Sequence, residues 1–349
     1  MTMPETEPTQ PPASLDTEPT PPARRGWLGT AAKLALAIGI LLWLYFSGRL
    51  DLSLLSGPNV SWLLVLGSTA VLLLSLPVVS WRYQLALNGL GLPCGYGQAF
   101  SWTMIGMFFD MVMPSATGGD LIKAVYAVRA YGKGRRSLAI LSVMLDRVLG
   151  IFGLFCLALM VCLAGGHTID ANARLRGMTW LLSLVCGGGM IAFLIAVSPH
   201  VAESSWRQKL VSMLPLHERL ERVYQGLVGL RRQPKILLLM LGLSVVNQAI
   251  VCASVLVLAR GLGMRIAPLE GAIVVPLALF VNAFGFAGGF GVGEWGFDEL
   301  FRRLLNIRGG ASLALAFHVL SFVFRLLGLP FYLLSGRVTA EETEDGERR

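Results

Sequence analysis

Apolar residues along this chain fall in runs of roughly 20, the number of helical residues needed to cross a bilayer core, separated by short polar stretches. The runs lie at about 31–48, 61–81, 137–165, 178–198, 236–259 and 311–335. Two shorter apolar segments, about 98–113 and 269–286, each run into a polar break. In the first, a helical pattern containing Asp110 is interrupted at Pro114, passes Ser115, Thr117, Gly118 and Gly119, and restarts at Asp120. In the second, a helix carrying Asn282 gives way to Gly288 and Gly289 before Glu294 opens the next helix. A break at membrane depth leaves backbone N–H and C=O groups unpaired, which is tolerated only against protein or a water-filled cavity. The pattern predicts an all-α polytopic membrane protein with about six full spans and two re-entrant broken-helix hairpins, over 98–129 and 269–306.

The hairpins are expected to enter from opposite faces, as in an inverted-topology repeat. Each is followed by a span carrying Arg-x-Leu-Gly, at Arg147 to Gly150 and at Arg325 to Gly328. The halves therefore cover about 61–165 and 236–335 of a membrane domain spanning 30–336. Charge places them relative to the membrane. The net charge of +8 would suit nucleic acid in a soluble protein, but with 54% hydrophobic and only 14% charged residues that class is excluded. Six spans put nineteen Lys/Arg on the face shared by both termini and eight on the other, so both termini are expected in the cytoplasm, most simply at a bacterial inner membrane. Residues 1–29 read as a disordered tail, poor in aliphatic side chains, and 337–349 as a charged tail. Residues 201–235 interleave Leu, Val and Trp206 with Arg, Lys and Glu, which suits amphipathic helices on the anionic cytoplasmic leaflet or an ordinary solvated linker.

Chemistry concentrates at the breaks. Arg147 is eleventh in its run, roughly 15 Å deep, where an unpaired arginine costs at least about 2.5–3.5 kcal/mol. Arg325 is placed similarly. Each needs an acid or an anionic ligand: Asp120 or Asp146 for Arg147, and Glu294 for Arg325. A purely structural ion pair would satisfy both as well as a binding site would. Asp120 and Glu294 also suit helix N-termini as caps. The glycines before them leave N–H groups exposed, as an anion-binding nest would. The candidate substrate-binding set is thus Asp110, Ser115, Gly118, Gly119, Asp120, Arg147, Asn282, Gly288, Gly289, Glu294 and Arg325. His318, seven residues before Arg325, lies on the same helical face and either lines the cavity or packs. No catalytic motif is found, and no cofactor or metal site is expected. The five cysteines lack CxxC spacing and imply neither disulfides nor zinc.

These motifs, Asp110-x-x-x-Pro114-Ser-x-x-Gly-Gly-Asp120, Asp146-Arg147-x-x-Gly150 and Gly288-Gly-x-Gly-x-x-Glu294, resemble the transmembrane region of lysylphosphatidylglycerol synthase/flippase proteins. The resemblance covers roughly 30–336. It implies a flippase-like transporter that moves a phospholipid or polyprenyl-phosphate-type lipid between leaflets, with Asp120, Arg147, Glu294 and Arg325 at a central cavity. The expected partners are a membrane lipid with an anionic head group and the anionic leaflet, with a homo-oligomer or a partner enzyme also open. No aminoacyl-transferase domain is recognised after the last span, so lysyl transfer is not carried over. The alternative is a non-transporting subunit scaffolding a lipid- or glycan-modifying enzyme; an enzyme acting on a lipid head group ranks lowest.

Overall fold

The structure is a computed structural model. It describes residues 60–112, 118–164, 233–283 and 290–334 continuously, with 42–49 and scattered positions at 38–57, 176–189 and 230. Both tails, most of the span expected at 178–198, the segment 201–229, Pro114, Ser115, Thr117, Gly288 and Gly289 lie outside the described residues.

The protein is an all-α integral membrane protein. Among the described residues four helical stretches are long and apolar enough to cross a bilayer: Trp62–Gly89, Arg136–Val161, Pro234–Gly261 and Gly310–Leu334. They match four of the six expected runs. The first consists of α1 (Trp62–Leu73) and α2 (Ser75–Gly89). The junction at Leu74 has a direct cause, since Pro77 has no N–H to donate to the carbonyl of Leu73. The first hairpin is α3 (Tyr96–Val112) and α4 (Gly118–Tyr131), followed by α5 (Arg136–Ala164). Then come α6 (Pro234–Gly261), α7 (Pro268–Ala283), α8 (Val292–Leu300), a short π-helical turn at Phe301–Leu305, and α9 (Gly310–Arg325).

Both α2 and α6 stop in the same way. The N–H of Leu92 bonds the carbonyl of Leu87, that of Met264 bonds Ala259, and Gly91 and Gly263 take φ of +74° and +77°. This is the Schellman closure, which favours glycine because the left-handed backbone crowds a Cβ. Each closure sends the chain straight into a hairpin. In the first hairpin the helices run antiparallel: Trp102 packs edge-on against Tyr131, Gly106 against Lys123, and Asp110 against Gly119. In the second, Asn282 meets Gly293 and Val281 meets Gly296.

The two hairpins open at opposite ends of the bundle. The mouth of the first clusters with the end of α2 through Tyr83, Leu87, Leu92, Ala99 and Ala127, and the end of α2 lies against Leu230 and Ile236 at the start of α6. The mouth of the second lies where α6 ends and α1 begins, and there the N–H of Ser61 donates to the carbonyl of Gly261 at 2.8 Å. Helix α6 runs between these ends. A buried Ser68–Ser254 hydrogen bond of 3.2 Å ties it to α1.

Close approach at the first tip makes a test. A Cβ on Gly119 would sit 2.1 Å from the Gly106 carbonyl oxygen and 2.7 Å from Asp110 Oδ1. Gly119→Ala is therefore expected to splay α3 from α4, costing about 1–3 kcal/mol as overpacking does. Thermal unfolding of the purified variant would show it as a lower Tm; an unchanged Tm would mean that the tip is loosely packed.

Candidate functional site

The hairpin tips meet. A cavity of about 100 Å³ is lined by Asp110 and Met111 from the first tip, by Asn282 and Phe290 from the second, and by Phe317, His318, Ser321, Phe322 and Arg325 from α9. Phe322 also faces outward, with Val319 and Val323 exposed beside it, so a single helix wall separates the cavity from the lipid-facing surface.

On the first tip, Asp110 Oδ1 accepts the N–H of Gly119 at 2.7 Å. The side chain thus takes up one of the open donors at the start of α4, a role the sequence reading gave to Asp120. Asp120 itself forms an ion pair with Arg147 on α5, in which both side chains are partly exposed. This pair is not among the side chains lining the cavity. Arg325 of α9 lines the same cavity as Asp110.

The second tip is built differently. Glu294 is fully buried. Its Oε2 accepts the N–H of Gly291 at 2.6 Å, and its Oε1 lies 2.8 Å from Nδ1 of His318. The other ring nitrogen, Nε2, lies 3.0 Å from Asn282 Oδ1, and Phe290 stacks at a tilt on the imidazole at 4.6 Å between centroids. The expected Glu294–Arg325 pair is therefore not formed. His318 takes the carboxylate because its face of α9 lies over the start of α8, whereas Arg325, two turns further on, lines the cavity shared with the first tip.

Two further expectations are corrected. Asp146 does not pair with Arg147. It is buried and accepts from Arg82 Nε at 2.7 Å, with Lys123 Nζ at 3.7 Å. Arg82 also donates to Ser244 Oγ at 3.1 Å and packs over Gly150, and Lys123 lies 5.2 Å above the Tyr83 ring. Arg82 and Lys123, both counted among the nineteen cations on the face of the termini, are buried inside the bundle. Removing them leaves the charge bias at seventeen to eight, in the same direction. The cluster joins α2, α4, α5 and α6, and it explains the glycine of the Arg147-x-x-Gly150 motif as room for a guanidinium.

The structure thus brings together Asp110, Asn282 and Arg325, with Gly118 and Gly119 buried beside Asp110 and Glu294 held behind His318. It sets Asp120 and Arg147 apart. Ser115, Gly288 and Gly289 fall outside the described residues. In packing terms the counterpart of Gly119 is Gly293, each pressed against the polar tip side chain of the preceding helix. Sequence carried that signal, since Gly293 precedes Glu294 directly as Gly119 precedes Asp120.

Comparison with curated proteins and with solved structures gave no match. The family model described as "Lysylphosphatidylglycerol synthase TM region" matches residues 30–328, most of the chain and all of α1 to α9, and the protein belongs to that family.

Proposed function

We propose that this protein moves a phosphate-bearing lipid, a phospholipid or a polyprenyl-phosphate-type lipid, between the leaflets of a bacterial inner membrane. The single observation that carries this reading is the meeting of two hairpin tips from opposite ends of the bundle at one polar cavity next to a lipid-facing helix. In this reading the hairpins are re-entrant elements of an inverted repeat. The first opens to the cytoplasm, where the seventeen-to-eight excess of Lys/Arg also puts both termini. Arg325 takes the phosphate, because a guanidinium can hold two of its oxygens at once, and Asp110 is its counter-charge when the site is empty. Phe322 and its neighbours leave the acyl or prenyl chain in the membrane while the head group enters. The Asp120–Arg147 pair holds the first hairpin to α5 and sets how far its tip can move.

Reconstitution of the full-length protein into liposomes carrying a leaflet-specific fluorescent phospholipid tests this. Label is expected to equilibrate between leaflets faster than in protein-free vesicles. Unmoved, chemically unchanged lipid would remove the translocation reading in favour of a scaffolding subunit, and chemically altered lipid would point to an enzyme.

A further inference from the structure

Glu294 is the most deeply buried carboxylate in the described core, and it presents a charge-balance problem. An ionised carboxylate in a low-dielectric interior needs a counter-charge as well as hydrogen bonds. Among the described residues no lysine or arginine lies in ion-pair range of Glu294; its partners are the Gly291 N–H and the His318 ring. The ring is itself buried, and each of its nitrogens faces an oxygen, Glu294 Oε1 on one side and Asn282 Oδ1 on the other. With the amide oxygen turned towards it, the imidazole donates to both oxygens when each nitrogen carries a proton. A neutral ring has one N–H, so the second contact would set two lone pairs against each other unless the Asn282 amide turned over.

From this we infer that His318 is a proton-binding site through which lipid movement is coupled to proton flow. The inference rests on the translocation reading above. Histidine is the side chain whose ordinary titration range spans physiological pH. Here it sits in the cavity wall, with Glu294 of α8 behind it, Asn282 of α7 at its outer nitrogen, Arg325 two turns along its own helix and Asp110 of α3 across the space. Asp110 and Arg325 offset each other in the empty cavity, and Glu294 offsets the protonated ring. A phosphate entering against Arg325 meets a second cation roughly 10 Å along the same helix face. Proton and phosphate therefore each favour the binding of the other, and linkage makes that coupling reciprocal. A water proton forms the N–H bond at the ring on one side of the membrane and is returned to water on the other; no other covalent bond changes. Loss of the proton turns the Asn282 amide, which changes the second tip from presenting one polar group to the cavity to presenting another.

The test uses full-length protein in vesicles of phosphatidylcholine and phosphatidylglycerol. Movement of acyl-labelled phosphatidylglycerol is read by albumin back-extraction, and internal pH by an entrapped dye. The native protein is expected to move label faster as pH falls, by up to about tenfold per pH unit, the limit for one linked proton, and to let protons in as label moves. His318→Gln is expected to flatten that profile and abolish the proton signal. If His318→Gln does not fold, Glu294→Gln/His318→Gln, which leaves no stranded carboxylate, carries the same expectation. Label movement with a flat pH profile in the native protein, or a profile unchanged in the variant, overturns the coupling alone. No label movement by the native protein at any pH overturns the translocation reading and the coupling with it.

Discussion

Arg82→Ala is expected to abolish accumulation of folded protein. The substitution leaves Asp146 buried with only Lys123 at 3.7 Å and no bonded guanidinium. Stranding one partner of a buried pair costs about 3–5 kcal/mol, a large part of the roughly 5–15 kcal/mol that keeps a typical protein folded. It also opens a void beside Gly150, which the guanidinium now fills. Yield of monodisperse protein in detergent and the Tm of what survives would report the loss. Adding Asp146→Asn should recover part of it, because the stranded charge is gone. Normal yield and Tm for Arg82→Ala alone would mean that water already reaches Asp146 and that the cluster does not hold the helices together.

Arg325→Ala is expected to show the opposite pattern, with a folded protein that has lost lipid movement. The acid that shares its cavity, Asp110, already accepts the Gly119 N–H, so deleting the guanidinium leaves a carboxylate that keeps a donor. A phosphate loses its charge-assisted bonds, each about 1.5–3 kcal/mol, and the rate should fall by about 10- to 100-fold. Arg325→Lys should retain part of the rate, since the charge stays while the planar fork is lost. A collapse in Tm for Arg325→Ala, recovered by Asp110→Asn/Arg325→Ala, would make this a structural pair and move the binding site elsewhere.

The contrast between these two arginines shows what sequence can carry. Periodicity and length located the four described spans and the paired shorter helices between them, because burial of backbone in a membrane leaves few options. Arg82 looked like a loop cation because it follows immediately after the run at 61–81, but the helix continues to Gly89. Nothing local shows that, since the partner Asp146 lies 64 positions away. The separation of Asp146 from Arg147 was legible: adjacent helical residues point about 100° apart and cannot face one partner. A further signal lay in Gly91 and Gly263, each of which stands nineteen residues before its tip side chain, Asp110 or Asn282. The choice of His318 over Arg325 by Glu294 was not legible, because it depends on how α8 docks against α9, a contact between segments whose relative height no spacing rule sets.

The last residues of the described chain lie against the first hairpin: Phe331 packs edge-on against Phe100 at 5.6 Å, and Tyr332 contacts both Phe108 and Phe109. A ribosome therefore completes the first hairpin, which ends at Tyr131, 200 residues before it makes Phe331, the first of the side chains that cover it. Through that interval α3 presents its aromatic face to whatever surrounds the nascent chain. Insertion of this protein is then a two-stage event, in which the first half waits for the second. Nascent chains halted before Phe331 should be held by the insertion machinery or degraded, whereas those extended past Tyr332 should be released as a closed bundle.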